Sequence, residues 1–376
     1  MSATQPFKVL LVDDDGSVLA GLQNVLRRER GRWSVRTAEG AERALEEMAR
    51  DPADVVVSDV RMPVVDGVEL LGRILGGWPA TARVLLSGYS DFRSITLAGT
   101  VAHRYLLKPC DGETLRSELA DIEEIQGLIP DFGLRALLGG LRSLPASPAT
   151  LPALGALPED PAERSRAIAR VAGSDVALAV RILQFVSSPS FGSPRPVEGL
   201  RAALALLGEG VIREIASLLE PLSSTAELPG ALESLQRLER HARSAASMAR
   251  ILARDDASAD VAATAALLHD AGRLAILSRL PGGYASVLAE AIRCDGTLDE
   301  AESRVLGTGH ARIGAYLLGL WGLPRAIVDA VGHHHDDGVL ETDGLAGIVA
   351  TANLLAHQAS AAARSATLPV LTRSSR

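Results

Sequence analysis

The hydrophobic pattern changes rhythm near residue 125. Before that point, short runs apolar at nearly every position, KVLLV (8–12), ADVVVSD (53–59), ARVLLSG (82–88) and HRYLLKP (103–109), alternate with segments whose apolar residues recur every three or four positions, SVLAGLQNVLRRER, GAERALEEMARD and DGVELLGRILGGW. WSVRTAE adds one more extended run. A strand with one wet face alternates apolar and polar residues, whereas a run apolar throughout must be covered on both sides, and the helices between the runs can cover it. Residues 5–125 are therefore expected to form a doubly wound α/β domain around a parallel sheet.

Beyond GETLRSELADIEEIQGLI no strand-like run remains. Residues 126–162 read as a linker helix and a proline-rich arm, centred on LRSLPASPATLPALGALPEDPAE (141–163), because proline lacks an amide hydrogen and clashes with the preceding turn. The arm either marks a boundary or wraps a helical domain. Residues 163–357 are expected to form that all-α domain. Helical spacing runs through segments at 162–172, 175–187, 198–207, 209–220, 230–254, 259–278, 283–294, 298–306, 310–320, 324–335 and 343–361, with breakers such as SSPSFGSPRP, LPGGY and WGLP between them. The tail, 358–376, has no core to join and is expected to be disordered.

Charge and cysteine content narrow the setting. The chain carries 38 Lys and Arg against 46 Asp and Glu, a net of −8 that repels nucleic acid, and no basic recognition helix stands out. Cys110 and Cys294 lie far apart without Cys-x-x-Cys spacing, which argues against a disulfide framework and for a reducing compartment. The first apolar run meets Asp13, Asp14 and Asp15 at once, so it suits neither a signal peptide nor a membrane span, and a cytoplasmic protein is expected.

In a doubly wound sheet, ligands bind outside the carboxyl ends of the strands. Polar residues gather there: Asp13-Asp14-Asp15 after the first run, Asp59 after the third, Ser87-Gly88 after the fourth and Lys108-Pro109 after the fifth. Crowded carboxylates raise one another's pKa unless a cation neutralises them, and magnesium, a hard ion bound by one or two carboxylates with waters and phosphate, fits. The set matches phosphoryl transfer, which needs positioning and charge neutralisation. Asp59 would accept the phosphoryl group, and Asp13, Asp14 and Asp59 would hold the metal. Lys108 and the Ser87 hydroxyl would contact phosphoryl oxygens. Singly, each residue has a structural explanation, since a strand-end aspartate caps the next helix and Lys-Pro ends a strand. Four strand ends agreeing are harder to explain that way.

VLLVDDD, VVVSDVRMPVVDG, VLLSGYSD and YLLKP, in this order over residues 6–125, resemble the motifs of the receiver domain of two-component response regulators, which has a flavodoxin-like fold. The resemblance implies phosphorylation on Asp59 by a partner histidine kinase, Ser87 and Tyr105 as the hydroxyl and aromatic switch residues, and the Arg61 carbonyl as a further magnesium ligand. Ser87 stands where the family more often has threonine and keeps the hydroxyl.

Seven histidines follow residue 240: His241, His269, His310, His333, His334, His335 and His357. Imidazoles beside the carboxylate of Asp270 suit zinc, iron, manganese or nickel, and such a site could activate water for phosphoester hydrolysis. These residues resemble the HD superfamily of phosphohydrolases. The resemblance puts His241, His269, Asp270, His310, His334 and His335 at ligand positions of its two-metal branch, the HD-GYP phosphodiesterases of cyclic di-GMP. Two departures count against activity: Asn353 stands where the family places a late-helix aspartate, and HHHDDGVLETDG keeps a His-His start but lacks Gly-Tyr-Pro; Arg273 also stands in place of the usual lysine. LRSLPASPATLP, SDVALAVRILQFVSSPSFG, ALALLGEGVIREIASL and GHARIGAYLLGLWGLPRAIVDAVGHHHD resemble the related HDOD output domain over about 138–355. That resemblance implies a largely non-catalytic protein-interaction module, acting on an unnamed protein partner or presented to a second protomer. The alternative is a receiver-gated phosphodiesterase of cyclic di-GMP or another nucleotide.

Overall fold

The computed structural model describes residues 6–29, 31–88, 100–188, 191, 197–222, 230–294 and 297–367, with side chains of the last helix as far as 360. β1 (Phe7–Asp13), β2 (Trp33–Glu39), β3 (Val55–Asp59), β4 (Ala82–Ser87) and β5 (Arg104–Leu107) form one parallel sheet in the order β2-β1-β3-β4-β5. The helices beside it are α1 (Gly16–Leu26), α2 (Ala41–Arg50), α3 (Gly67–Gly77) and α4 (Gly112–Gly127). Tyr89, Ser90 and Asp91 of VLLSGYSD lie outside the described residues.

The unbroken apolar runs are buried on both faces. Val9, Leu11, Val57, Val84 and Leu106 share a core with Leu115, Leu119 and Ile122 of α4, while Leu10, Val12, Val56, Leu85 and Tyr105 share another with Leu70, Leu71 and Ile74 of α3. The strand order reverses at β1, so the carboxyl ends of β1 and β3 border the crevice where the doubly wound fold binds ligands.

Helices fill the remainder: α5 (Phe132–Gly139), α6 (Thr150–Gly155), α7 (Pro161–Ala172), α8 (Val176–Ser187), α9 (Leu200–Leu206), α10 (Glu209–Ser217), α11 (Ala231–Leu252), α12 (Asp256–Leu268), α13 (Ala271–Arg279), α14 (Pro281–Cys294), α15 (Leu298–Leu306), α16 (His310–Leu320), α17 (Arg325–His333) and α18 (Leu345–Thr367). Their starts follow local chemistry. Asp160 and Asp175 cap α7 and α8, and Asp255 with Ser258 and Thr297 with Glu300 form capping boxes, satisfying amides that a helix end leaves open.

One feature accords with the wrapping reading of the arm, and two differ from the sequence expectation. The proline-rich arm buries Leu144, Ala146 and Leu154, pairs Ala146 with Pro221, and contains α6, whose Pro152 falls in the first turn, where an amide hydrogen has no partner to lose. The tail expected from 358 instead continues α18 to Thr367 through the alanine-rich HQASAAARSAT, and 368–376 lie outside the described residues. The helix expected over 259–278 is broken into α12 and α13 at His269 and Asp270. Gly272 lies just past the break, where a Cβ would stand 2.0 Å from the His310 carbonyl oxygen, so α13 and α16 touch backbone to backbone. Among the described residues one helical stretch, Asp256–Arg279, is long and apolar enough to cross a membrane, and 89% of its apolar window is buried in the core.

The two parts share an interface. Arg104 of β5 is buried, pairs with Glu118 and Asp121 of α4 at 2.8 and 2.5 Å, and also donates to the carbonyls of Gly319 and Leu320 at the end of α16. Arg325 at the start of α17 pairs with Asp121 at 3.1 Å and with Glu124. Gln184 of α8 donates to the His103 carbonyl at 3.2 Å. At Gly319 a Cβ would meet Ile125 Cδ1 at 2.3 Å, so glycine allows α16 to lie against α4.

Candidate functional site

At the sheet edge, the structure brings Asp13, Asp59 and Lys108 together. Lys108 Nζ lies 2.6 Å from Asp13 Oδ2 and 2.5 Å from Asp59 Oδ1, so two carboxylates on neighbouring strands share one ammonium. Burial disfavours that ammonium, but the two carboxylates outweigh burial and raise its pKa. The other Asp59 oxygen accepts the Arg61 amide at 2.9 Å. Gly67 makes room, since a Cβ there would stand 1.9 Å from the Asp59 carbonyl oxygen.

The neighbours divide by role. Asp14 is exposed at the mouth, while Asp15 caps α1 by accepting from the Ser17 amide and hydroxyl. Ser87 is buried at the end of β4, and its hydroxyl donates to the Gly88 carbonyl at 2.6 Å. Tyr105 is buried two residues before the end of β5, with a hydroxyl that has no partner among the described residues. Burial raises the pKa of that hydroxyl. The donors fit magnesium: hard oxygen atoms on adjacent strand ends, already gathered around one positive charge.

In the helical part, the break between α12 and α13 matters chemically. Neighbouring residues of an unbroken helix do not face the same way, yet His269 and Asp270 both reach one cluster because Asp270 leaves helical geometry at φ −94°, ψ 13°. His269, Asp270, His310 and His334 are buried, whereas His335 and His357 are exposed at the mouth.

Backbone and carboxylate acceptors decide the tautomers. Nδ1 of His269 lies 2.7 Å from the Ala266 carbonyl, Nδ1 of His334 lies 2.7 Å from the Val331 carbonyl, and Nδ1 of His310 lies 2.6 Å from Glu302 Oε2. A carbonyl can only accept, so the proton of His269 and of His334 sits on Nδ1 and the lone pair on Nε2. Nε2 of His269, His310 and His334 and the carboxylate of Asp270 are all buried; His310 Nε2 lies 3.2 Å from Asp270 Oδ1 and His269 Nε2 3.4 Å from Asp270 Oδ2, while Nε2 of His334 has no hydrogen-bond partner among the described residues. Burial holds His269 down at about 4 and His334 well below the usual histidine value, so both rings stay neutral. Burial alone would raise Asp270, but the positive charge of Arg273 and the neighbouring imidazoles hold it well below the usual carboxylate value.

Ligand-capable atoms lie within 4.8 Å of one another in three groups: His310, His334 and His335; His241, His269 and Asp270; and Asp299, Glu302 and His310. Nitrogen-rich donors with one carboxylate fit a transition metal rather than magnesium. Sequence reasoning missed Glu302, Asp299 and His357 as members of the cluster. Glu302 bonds His310 and lies 3.2 Å from Arg273 Nε, and Arg273 Nη1 lies 3.1 Å from Asp270 Oδ2. Nothing in LDEAESRVL distinguishes Glu302 from the other acids of α15 except burial, which only packing reveals.

Comparison with known proteins divides the chain in the same way. The response regulator receiver domain family matches residues 9–120, and the HDOD domain family matches residues 144–337, more than half of the chain. Uncharacterized transcriptional regulatory protein YesN of Bacillus subtilis is 32% identical over 31% of this chain and 32% of its own length. Hydrogenase transcriptional regulatory protein HoxA of Cupriavidus necator is 34% identical over 33% of this chain and 26% of its own. The chain thus spans about a quarter to a third of the length of these curated relatives. Among solved structures, the signal receiver domain of an HD domain-containing protein from Pseudomonas fluorescens Pf-5 is 34% identical, covers 33% of this chain and 98% of that one, and has a TM-score of 0.31. The MmoQ response regulator of Methylococcus capsulatus Bath is 25% identical over 60% of this chain and 90% of that one, with a TM-score of 0.48.

Proposed function

Because the chain belongs to the HDOD family and carries a response regulator receiver domain ahead of its HDOD domain, we propose that it is a phosphorelay regulator that accepts a phosphoryl group on Asp59 and signals through the HDOD domain. The observation that carries this reading is the Lys108 ammonium held between Asp13 and Asp59 at the sheet edge. A cognate histidine kinase in the cytoplasm supplies the phosphoryl group. The phosphorus–nitrogen bond of its phosphohistidine breaks as a phosphorus–oxygen bond to Asp59 forms. Asp13, Asp14, Asp59 and the Arg61 carbonyl would hold magnesium, which supplies neutralisation of the transferring charge. Lys108 turns from the carboxylate pair to a phosphoryl oxygen, and the Ser87 hydroxyl donates to another.

The interface gives the signal a route to the output domain. α16 runs from His310 in the cluster to the Gly319 and Leu320 carbonyls bound by Arg104, and α17 runs from Arg325 on the receiver to His333 beside the cluster. A change at β5 therefore bears on helices that shape the HDOD surface offered to a protein partner. In the untagged chain of 376 residues, Asp59→Asn is expected to abolish acid-labile labelling from a phosphodonor, and persistent labelling overturns the assignment.

A second reading, a metal-dependent phosphodiesterase gated by the receiver, is favoured by one observation: the buried Nε2 atoms of His310 and His269 face the Asp270 carboxylate at 3.2 and 3.4 Å, beside the buried ring of His334. Asn353 and the missing Gly-Tyr-Pro weigh against turnover. Elemental analysis of untagged protein, with cyclic di-GMP hydrolysis measured after manganese or iron addition and again in Asp270→Ala, separates the two. Protein that is free of transition metal and inactive after loading retires the second reading.

A further inference from the structure

The receiver meets the helical part along two seams that differ in what fills them. One is apolar. Ile122 and Ile125 of α4 and Leu134 and Leu138 of α5 belong to a single buried core that also holds Leu317 of α16 and Ile327 of α17, so both parts share it. The other seam, beside β5, is polar and less full. A cavity of about 250 Å³ lies there, bordered by Arg104 and Tyr105 of the receiver and by Gln184, Ser187 and Trp321 of the helical part. The hydroxyls of Tyr105 and Ser187 are buried without a partner among the described residues.

Charge closes the second seam. Asp121 of α4 accepts from Arg104 at 2.5 Å and from Arg325 at 3.1 Å, so one carboxylate joins an arginine of the sheet to an arginine of the helical part. Arg104 goes on to the carbonyls of Gly319 and Leu320, and Arg325 to Glu124. Arg325 and Asp121 are partly exposed, and water can replace such a pair at little cost, whereas opening the apolar seam exposes core. The corner is tied to the sheet edge through β5. Arg104 opens that strand and Lys108 directly follows its last residue, a stiff span of roughly 13 Å at about 3.3 Å per residue. Turning Lys108 from Asp13 and Asp59 to a phosphoryl oxygen pulls on a strand whose other end the corner holds.

We propose that this corner is an autoinhibitory clasp. Asp121, held between Arg104 and Arg325, keeps the helical domain against β5 and keeps Lys108 on its two carboxylates. Loading of Asp59 and opening of the clasp therefore favour each other, because coupling between two sites is reciprocal. The inference rests on Asp59 as the phosphoacceptor. It adds which contact restrains that residue, and the sign: the helical domain opposes loading, and loading frees the end of α16.

Equilibrium binding of beryllofluoride, a reversible stand-in for the phosphoryl group, tests it in the chain of 376 residues with excess magnesium. Asp121→Asn and Arg325→Gln are each expected to tighten binding by about two- to fivefold, the range open to partly exposed ion pairs. The double variant should gain little over the stronger single one, since both cut one clasp. Arg73→Gln, which cuts an exposed pair with Glu69 elsewhere on the receiver, should leave binding unchanged. Amide exchange in the last turn of α16 should quicken when the wild type is loaded, and circular dichroism checks the fold of each variant. Binding that is unchanged or weaker in Asp121→Asn or Arg325→Gln, equal tightening in Arg73→Gln, or exchange that ignores loading overturns the clasp while leaving the phosphoacceptor standing. Binding that survives Asp59→Asn, or is absent from the wild type, overturns the phosphoacceptor reading and this inference with it.

Discussion

At the sheet edge Asp13 and Asp59 share the ammonium of Lys108, whereas in the helical domain Asp270 faces the guanidinium of Arg273 and also the buried imidazole nitrogens of His269 and His310. The first centre offsets part of its charge from within, one ammonium against two carboxylates, and is open to solvent through Asp14 and the partly exposed Lys108. The second is buried and oversupplied with lone pairs. Buried unpaired donors mark a site whose protein partners are incomplete.

Substitutions can break this contrast, beginning with the largest effect. Arg273→Met leaves the buried carboxylates of Asp270 and Glu302 without their guanidinium, and unfolding of the helical domain in urea should shift by about 3–5 kcal/mol. An unshifted midpoint would mean that the imidazoles alone carry that charge. Lys108→Ala should cost less, about 2 kcal/mol, because its side chain is partly solvated. Excess magnesium should restore most of the lost melting temperature there, which it should not do for Arg273→Met.

His103, in the receiver, supplies a pH test away from either centre. Burial first, and then the Arg83 guanidinium 2.7 Å from its ring, hold its pKa well below 6.5. The folded chain therefore binds fewer protons there than the unfolded chain does. The corresponding stability is complete above the unfolded value and is lost as pH falls from 6.5 toward the folded value, by at most about 1.4 kcal/mol per pH unit. Unfolding free energies compared at about pH 7.5 and about pH 5.5 should fall in that direction, with His269 and His334 contributing in the same sense, and His103→Gln should remove only the His103 share. Arg325→Ala should have the smallest effect, about 0.5–1 kcal/mol in thermal unfolding, because its pairs with Asp121 and Glu124 are half-exposed. A larger loss would show that these pairs, rather than buried Arg104, fasten the receiver to α17.

Much of the receiver is legible from local pattern. Runs apolar at every position mark parallel strands, a parallel sheet points all its carboxyl ends one way, and the polar residues that end the runs must therefore meet at one edge. Asp13, Asp59, Ser87 and Lys108 follow from that rule, and so does the capping role of Asp15, since a strand-end aspartate before a helix has open amides to accept from. The histidine cluster was legible as a list of residues but not as an arrangement. Periodicity drew one helix through His269 and Asp270, because no proline stands there and the nearest glycine, Gly272, lies inside α13, where it reads as an isolated helical glycine.

The sequence by itself determined the division into a sheet domain and a helical domain, the edge where the acids gather, and which histidines and carboxylate were available. Tertiary structure alone decided that Arg273 and Glu302 flank Asp270 and His310, which imidazole nitrogens keep their lone pairs, and that His357 stands beside His241. The physical reason is range. Hydrophobic period and strand-end chemistry act between near neighbours in the chain, whereas the cluster is assembled from helices far apart in sequence, whose approach depends on close backbone contacts such as Gly272 against His310.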